Sequence, residues 1–354
     1  GEYITVTGRW AAVGGGVRNH VAPPASGMWA SVAGTIAGGE GNLVGNAHGT
    51  VGGGGNNRAI GYGSVVAGGG GYEHYGSLLP EWPSAGSTAG GTWSTVAGGG
   101  RNTAGAYAST VGGGFGNEAV GEFSTVGGGG PEPSEVENPA GPNRATDAYT
   151  TIGGGAGNHA GGLETFPMDA SFATVGGGRH NRATWRAATV AGGEGNTAGA
   201  MHATIPGGLG NHATAPQTFA AGTSARADHA GAFVWADADE HPFTSAANNE
   251  LAARATGGVR LVLATDAGGN ATWVCSVVAG GSWACSSDRD LKTDLAPADG
   301  REVLDRLDEM AIYTWSARGE DAAVRHIGPM AQDFHAAFGL GRDEPPVHLV
   351  GDLV

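Results

Sequence analysis

STVGGGFGNEAVGEF, residues 109 to 123, is one turn of a pattern that fills most of this chain. Its consensus, Thr-Val-Gly-Gly-Gly-x-x-Asn-x-Ala, recurs with the Val or Ile at 13, 36, 51, 66, 96, 111, 126, 152, 175, 190 and 205, and with a Phe version at 219. Most neighbours lie 15 residues apart, and gaps of 23, 30, 26 and 23 mark insertions. A fixed base period with localised insertions signifies a solenoid.

The columns of the repeat say what each coil contains. Thr precedes the apolar anchor in ten of the twelve units, so a polar residue faces out and an apolar one in on a short strand. Every unit has Gly three residues after the anchor, as at Gly114, Gly193 and Gly208, where a turn with positive φ or a close approach between chains excludes a Cβ. Nine units carry Asn at the sixth place, among them Asn102, Asn117 and Asn196. Asn tolerates the left-handed region and can bond to its equivalent in the next coil. Ala or Val two places later, as at Ala104, Ala119 and Ala198, forms a second, smaller inward column. Two short strands and two turns per coil follow.

A coil that buries only a Val and an Ala cannot offset its own conformational entropy, and a stack of twelve still has a thin interior. Three chains side by side would bury the Gly- and Ala-rich faces against one another, so a parallel homotrimer is expected. With this repeat, residues 13 to about 230 resemble the left-handed parallel β-roll head of trimeric YadA-like adhesins and the shafts of related phage tail fibres.

Composition narrows the function. The 354-residue chain holds 70 Gly, has 7% aromatic residues and carries a net charge of −15 with no basic run, which excludes electrostatic binding to nucleic acid. No apolar stretch approaches the roughly 20 residues that span a bilayer, so no membrane insertion is expected. The opening GEYITVTGRW has neither an initiator Met nor a signal peptide, as expected of a fragment. A calcium-binding β-roll needs an Asp in each turn, and only Asp147 and Asp169 occur before residue 220. Neither metal nor cofactor is expected. Three of the 12 His (His20, His159 and His212) follow the repeat Asn and read as solvated ladder positions.

Recognition is expected in the insertions, since loops on a rigid scaffold commonly carry binding. Trp29, Tyr72, Tyr75, Trp82 and Trp93 fall within them as candidates for stacking on a cell-surface glycan or gripping a protein receptor, or simply for covering the ends of interrupted coils. Residues 1–230 form the shaft in this reading, and residues 231–285 an antiparallel β connector. Cys275 and Cys285 lie symmetrically about Gly280, so a hairpin would set them opposite each other, as a disulfide or as two free buried thiols.

Residues 286–354 form the third part, a small α+β unit. Val303, Leu304, Leu307 and Met310 make a helical stripe, AIYTW reads as a strand, and Pro329 opens a helix that ends at Gly339. Lys292 is the only lysine in a chain with 17 Arg. Arg does not readily give up its proton, so a lone lysine in an arginine-preferring chain suggests chemistry. The stretches GGSWACSSDRDLKTD and RHIGPMAQDFHAAFG, within residues 282 to 341, resemble the intramolecular chaperone domain of endosialidase-type phage tail spikes and fibres. That resemblance implies a domain that trimerises the fibre and then cuts itself off before Ser287. Ser287 would be the nucleophile, Lys292 its base, and Ser286 the donor of the attacked carbonyl, with Asp288 and Arg289 as positioning residues. Such a domain acts once, as a serine–lysine autoprotease, rather than turning over. Where the family's final coiling helix is expected, the sequence reads RDEPPVHLVGDLV, so the domain looks C-terminally incomplete. The expected protein is a virion tail fibre or other extracellular fibre. The alternative is a bacterial surface adhesin whose C-terminal domain trimerises and stays attached.

Overall fold

The computed structural model describes residues 1–22, 33–70, 86–130, 141–162, 170–277, 282–286, 289, 292–318, 321 and 323–340. They form two compact units, residues 1–256 and 257–354. In the first, two all-parallel sheets of 14 strands each run the length of the repeat. Each coil gives one short strand to each sheet, so Val96 pairs in register with Val111 and Val111 with Val126, and Ala104 with Ala119 and Ala119 with Ala145. The chain is a mainly β parallel solenoid.

The expected columns supply the core. Val96, Val111, Val126, Ile152 and Val190 line one wall and Ala104, Ala119 and Ala145 the other, all at 0% exposure. Because consecutive residues of a strand point to opposite faces, Thr110 lies on the outer side while Val111 fills the interior. A further buried column is the Ser or Thr two places before the anchor: Ser124 Oγ donates to Gly121 O at 2.7 Å and closes the corner of its coil.

The Asn column is also interior. Asn117 is fully buried; its Nδ2 donates to Gly113 O at 2.9 Å and to Gly129 O at 2.8 Å, and the N–H of Asn143 donates to its Oδ1. The left-handed residue is not the Asn but the one before it, as at Arg101 (φ 57°) and His180 (φ 55°). Gly114, at φ 81°, meets the expectation for its column: a Cβ there would lie 1.9 Å from Gly129 O and 2.8 Å from Asn117 Nδ2.

Two expectations change. Phe219 is not the inward anchor, because it pairs with Thr204 on the outer column and stacks on Phe233 at 4.4 Å, leaving Ala220 to fill the interior. The coils also continue past residue 230: Phe233–Ala236 pairs in parallel with Phe219–Gly222, and Leu251–Arg254 with Phe233–Ala236. Asp237 ties down this end of the stack. Its carboxylate accepts from Arg254 Nε at 2.8 Å and from the N–H and hydroxyl of Thr256 at 2.9 and 2.7 Å. The Thr256 bonds hold its carboxyl well below the ordinary carboxylate range.

The second unit begins with an antiparallel sheet of Val259–Thr265, Ala271–Val277 and Trp283–Cys285. Helix α1 (Gly300–Asp308) is capped by Asp299, whose side chain accepts from Arg301 N. The strand Ile312–Trp315 pairs antiparallel with His326–Pro329, so Pro329 ends a strand, and helix α2 (Ala331–Phe338) starts two residues later. It stops at Gly339 in the left-handed region (φ 64°), as expected. Arg306 Nη1 donates to Ala337 O at 2.7 Å and links the helices.

Asn117→Asp removes two buried donors and puts a carboxylate against the carbonyls of Gly113 and Gly129. A loss of about 3 kcal/mol or more of shaft stability is expected, read as a lower denaturation midpoint. Unchanged stability would contradict the ladder.

Candidate functional site

The residues around the expected cut are built on the antiparallel sheet. Ala271–Val277 and Trp283–Cys285 pair with Cys275 directly opposite Cys285, and the two Sγ atoms are bonded to each other. Ser286 extends this pairing by one residue. Its N–H donates to Val274 O at 2.7 Å, while its Oγ accepts from Val274 N at 3.1 Å and lies 3.2 Å from Val274 O. Ser286, the expected donor of the attacked carbonyl, is thus held through both its backbone and its side chain. Ser287 and Asp288 lie outside the described residues.

Beyond them, the N–H of Lys292 donates to Arg289 O at 3.1 Å. Lys292 and Arg289 are both exposed in the single chain. The structure therefore fixes Ser286 against Val274 and ties the backbone of Lys292 to that of Arg289.

Among the receptor candidates, Trp29, Tyr72, Tyr75 and Trp82 lie outside the described residues. Trp93 does not belong to an insertion. It occupies a corner of a regular coil at φ 59°, 53% exposed, and meets the Tyr62 ring at 5.2 Å edge to face. It is one rung of an aromatic column that the sequence reading missed. His48 packs on Tyr62, Tyr107 on Phe123, Phe123 on Tyr149, and Tyr149 on Phe172, with ring centroids 5.0–5.4 Å apart. His48, Trp93, Phe123, Tyr149 and Phe172 all adopt positive φ three places before an anchor. That column was the available signal: a bulky side chain in the left-handed region costs about 1–2 kcal/mol, which ring pairs at about 0.5–1.5 kcal/mol each help offset.

The histidines that follow the repeat Asn are not all solvated. His159 is largely buried, and burial together with the neighbouring Arg182 charge holds it below the ordinary imidazole range. Burial likewise lowers His212. Among the described residues no group of three or more His, Cys, Asp or Glu is arranged to hold a metal ion. No helix among them is long and apolar enough to cross a membrane.

With this geometry in place, comparison with known proteins gives one result. Residues 287–339 match the family model described as chaperone of endosialidase, a peptidase family. The match begins at the expected nucleophile and ends where α2 stops. No curated protein matches the chain. A domain of the endosialidase-chaperone type thus follows a tail-fibre-like β-solenoid shaft.

The chain has two cysteines, and both are in the bond beside the expected cut. Iodoacetamide is expected to leave the denatured, unreduced chain at its original mass and to modify both cysteines after reduction. Uptake of label without reductant would contradict the pairing.

Proposed function

We propose that this chain is one strand of a homotrimeric extracellular or virion fibre, assembled by its C-terminal domain as an intramolecular chaperone and then separated from it by a cut between Ser286 and Ser287. One observation carries this reading. From Gly257 onward no described residue is buried, although that stretch contains Leu261, Leu263, Leu304, Ile312 and Ile327 at 46–74% exposure. Apolar side chains on formed strands and on a capped helix, with no core beneath them, call for other chains to cover them. The family match over residues 287–339 says which kind of assembly domain this is.

The cut follows from the residue types. Ser287 Oγ attacks the carbonyl carbon of Ser286 while its proton passes to the Lys292 amine. The amide C–N bond breaks, and the Ser287 nitrogen leaves as an amine after taking up that proton. The product is an ester from the Ser286 acyl group to Ser287 Oγ, and water hydrolyses it to a Ser286 carboxylate and a free Ser287 hydroxyl. Lysine acts as a base only when stripped of water, and Lys292 is exposed in the single chain. This reading therefore ties its activation to burial by neighbouring chains, so that cutting reports completed assembly. Ser286, bonded to Val274, holds the scissile carbonyl to the shaft side. The disulfide closes only residues 275–285, so it pins the new shaft end without retaining the released domain.

The alternative is an adhesin that trimerises through the same domain and keeps it. Mass spectrometry of the full-length gene product separates the two. Cutting between Ser286 and Ser287 is expected in the parent and in Ser286→Ala. It is expected to be lost in Ser287→Ala and in Lys292→Arg, which keeps the charge but not the base. An uncut parent would favour the adhesin, and a Lys292→Arg chain that still cuts would remove Lys292 from the reaction.

A further inference from the structure

We propose that the outer face of the coils at residues 141–182 holds a site for a small oxyanion, a sulfate, phosphate or carboxylate group, bound between Arg144, His159, His180 and Arg182. The placement comes from the register of one sheet. Glu118, Arg144, His159 and Arg182 sit opposite one another on successive coils, so the outward column turns from acidic to basic and stays so for three coils. The next column position is Thr197, and His212 and Arg226 follow it.

These side chains line a cavity of about 320 Å³ whose walls include Gly141 and Gly157. No carboxylate lines it among the described residues. Arg144 meets Glu118 through its Nε at 2.9 Å, but Arg182 and His180 have no acidic partner among the described residues. A cationic pocket of this kind does not follow from bulk composition, since the chain carries a net charge of −15. The His159 ring stands between the Arg144 and Arg182 rungs of the column, with the backbone of Gly161 and Gly162 against it. Guanidinium groups suit an oxyanion because their planar donors match the paired oxygens of a carboxylate, sulfate or phosphate. The volume matches a group no larger than a monosaccharide.

The arrangement also fixes the sign of a pH effect. Burial first, then the Arg182 charge, lowers the pKa of His159 below the ordinary imidazole range. A bound oxyanion adds negative charge beside the ring and favours the imidazolium, so binding takes up a proton and affinity rises as pH falls. The groups that share the site with His159 are Arg144, His180 and Arg182, with Glu118 on the far side of Arg144. Nearby Asp147 is buried, and its carboxylate is occupied by the N–H groups of Gly162 and Ala170, both at 3.0 Å.

The test is calorimetric titration of the full chain with sodium sulfate and with glucuronate, ionic strength held constant with chloride, at about pH 6 and about pH 8. Saturable binding, tighter at the lower pH, is expected for at least one of the two anions. Sulfate binding alone would assign the site to a sulfate or phosphate group, and tighter glucuronate binding to an acidic sugar; neutral glucose should not bind. Arg182→Thr places in the column the residue that Thr197 already supplies on the next coil, and should weaken binding about tenfold or more. His159→Gln should reduce the pH dependence. Failure of both anions to saturate, equal binding of glucose, or an unchanged affinity in Arg182→Thr would overturn the proposal. None of these outcomes depends on the cut at Ser286.

Discussion

The buried amide of the repeat Asn is the constraint on which the shaft depends. Each Asn side chain has two donors and an acceptor to satisfy inside an interior otherwise lined by Val, Ile, Ala and the corner Ser or Thr, and its own coil supplies only one partner. The next coil supplies the others, as when Asn102 Oδ1 accepts from Asn117 N at 2.9 Å and Asn102 Nδ2 reaches Gly114 O at 2.8 Å. Neighbouring coils are therefore coupled by hydrogen bonds that cannot be lost without burying unpaired groups. Gly at the third place follows from the same geometry, because any Cβ there would collide with the carbonyl that the amide must reach. Where insertions interrupt the sequence, the slot is still filled, by Asn143 after the stretch 131–140 and by Ser87 after 71–85. The ladder tolerates long insertions at both corners of a coil, before the Asn slot and after the second strand.

The second unit obeys the opposite rule. Its strands and helices form with proper caps and turns, yet its apolar residues remain exposed. Local structure that is complete without a core is stable only when something outside the chain covers it. A chaperone has use for such a design, because the surface that drives assembly stays available until neighbours arrive. Ser286, at the end of a disulfide-linked sheet, stands next to the first residue of the chaperone-of-endosialidase match.

Most of the shaft was legible because its chemistry repeats. Thr110, Val111, Gly114, Asn117 and Ala119 each belong to a column, and a column identifies the face, the turn and the partner in a way that a single residue cannot. What escaped was what departs from the columns. Phe219 looked like an anchor because it is apolar, but pairing with Thr204 turned it outward and gave Ala220 the interior. The last coils were hidden because Val234 and Ala252 leave the fifteen-residue step. Trp93 was assigned to an insertion because a gap precedes it, though its φ and its distance from Val96 place it in the regular corner column. His159 read as solvated because nothing in the sequence reveals that its corner closes over the ring. At the C-terminal end, the family match begins at Ser287, within the stretch whose neighbours suggest it, whereas the hold of Val274 on Ser286 needed the strand register to be seen.

The central claim is that neither the thin interior of the shaft nor the uncovered second unit stands alone. Sedimentation equilibrium of the chain at micromolar concentration tests it most directly. For the Ser287→Ala chain, which should stay uncut, one folded species at three times the chain mass of 34.9 kDa is expected. A stable, fully folded monomer under the same conditions would contradict it.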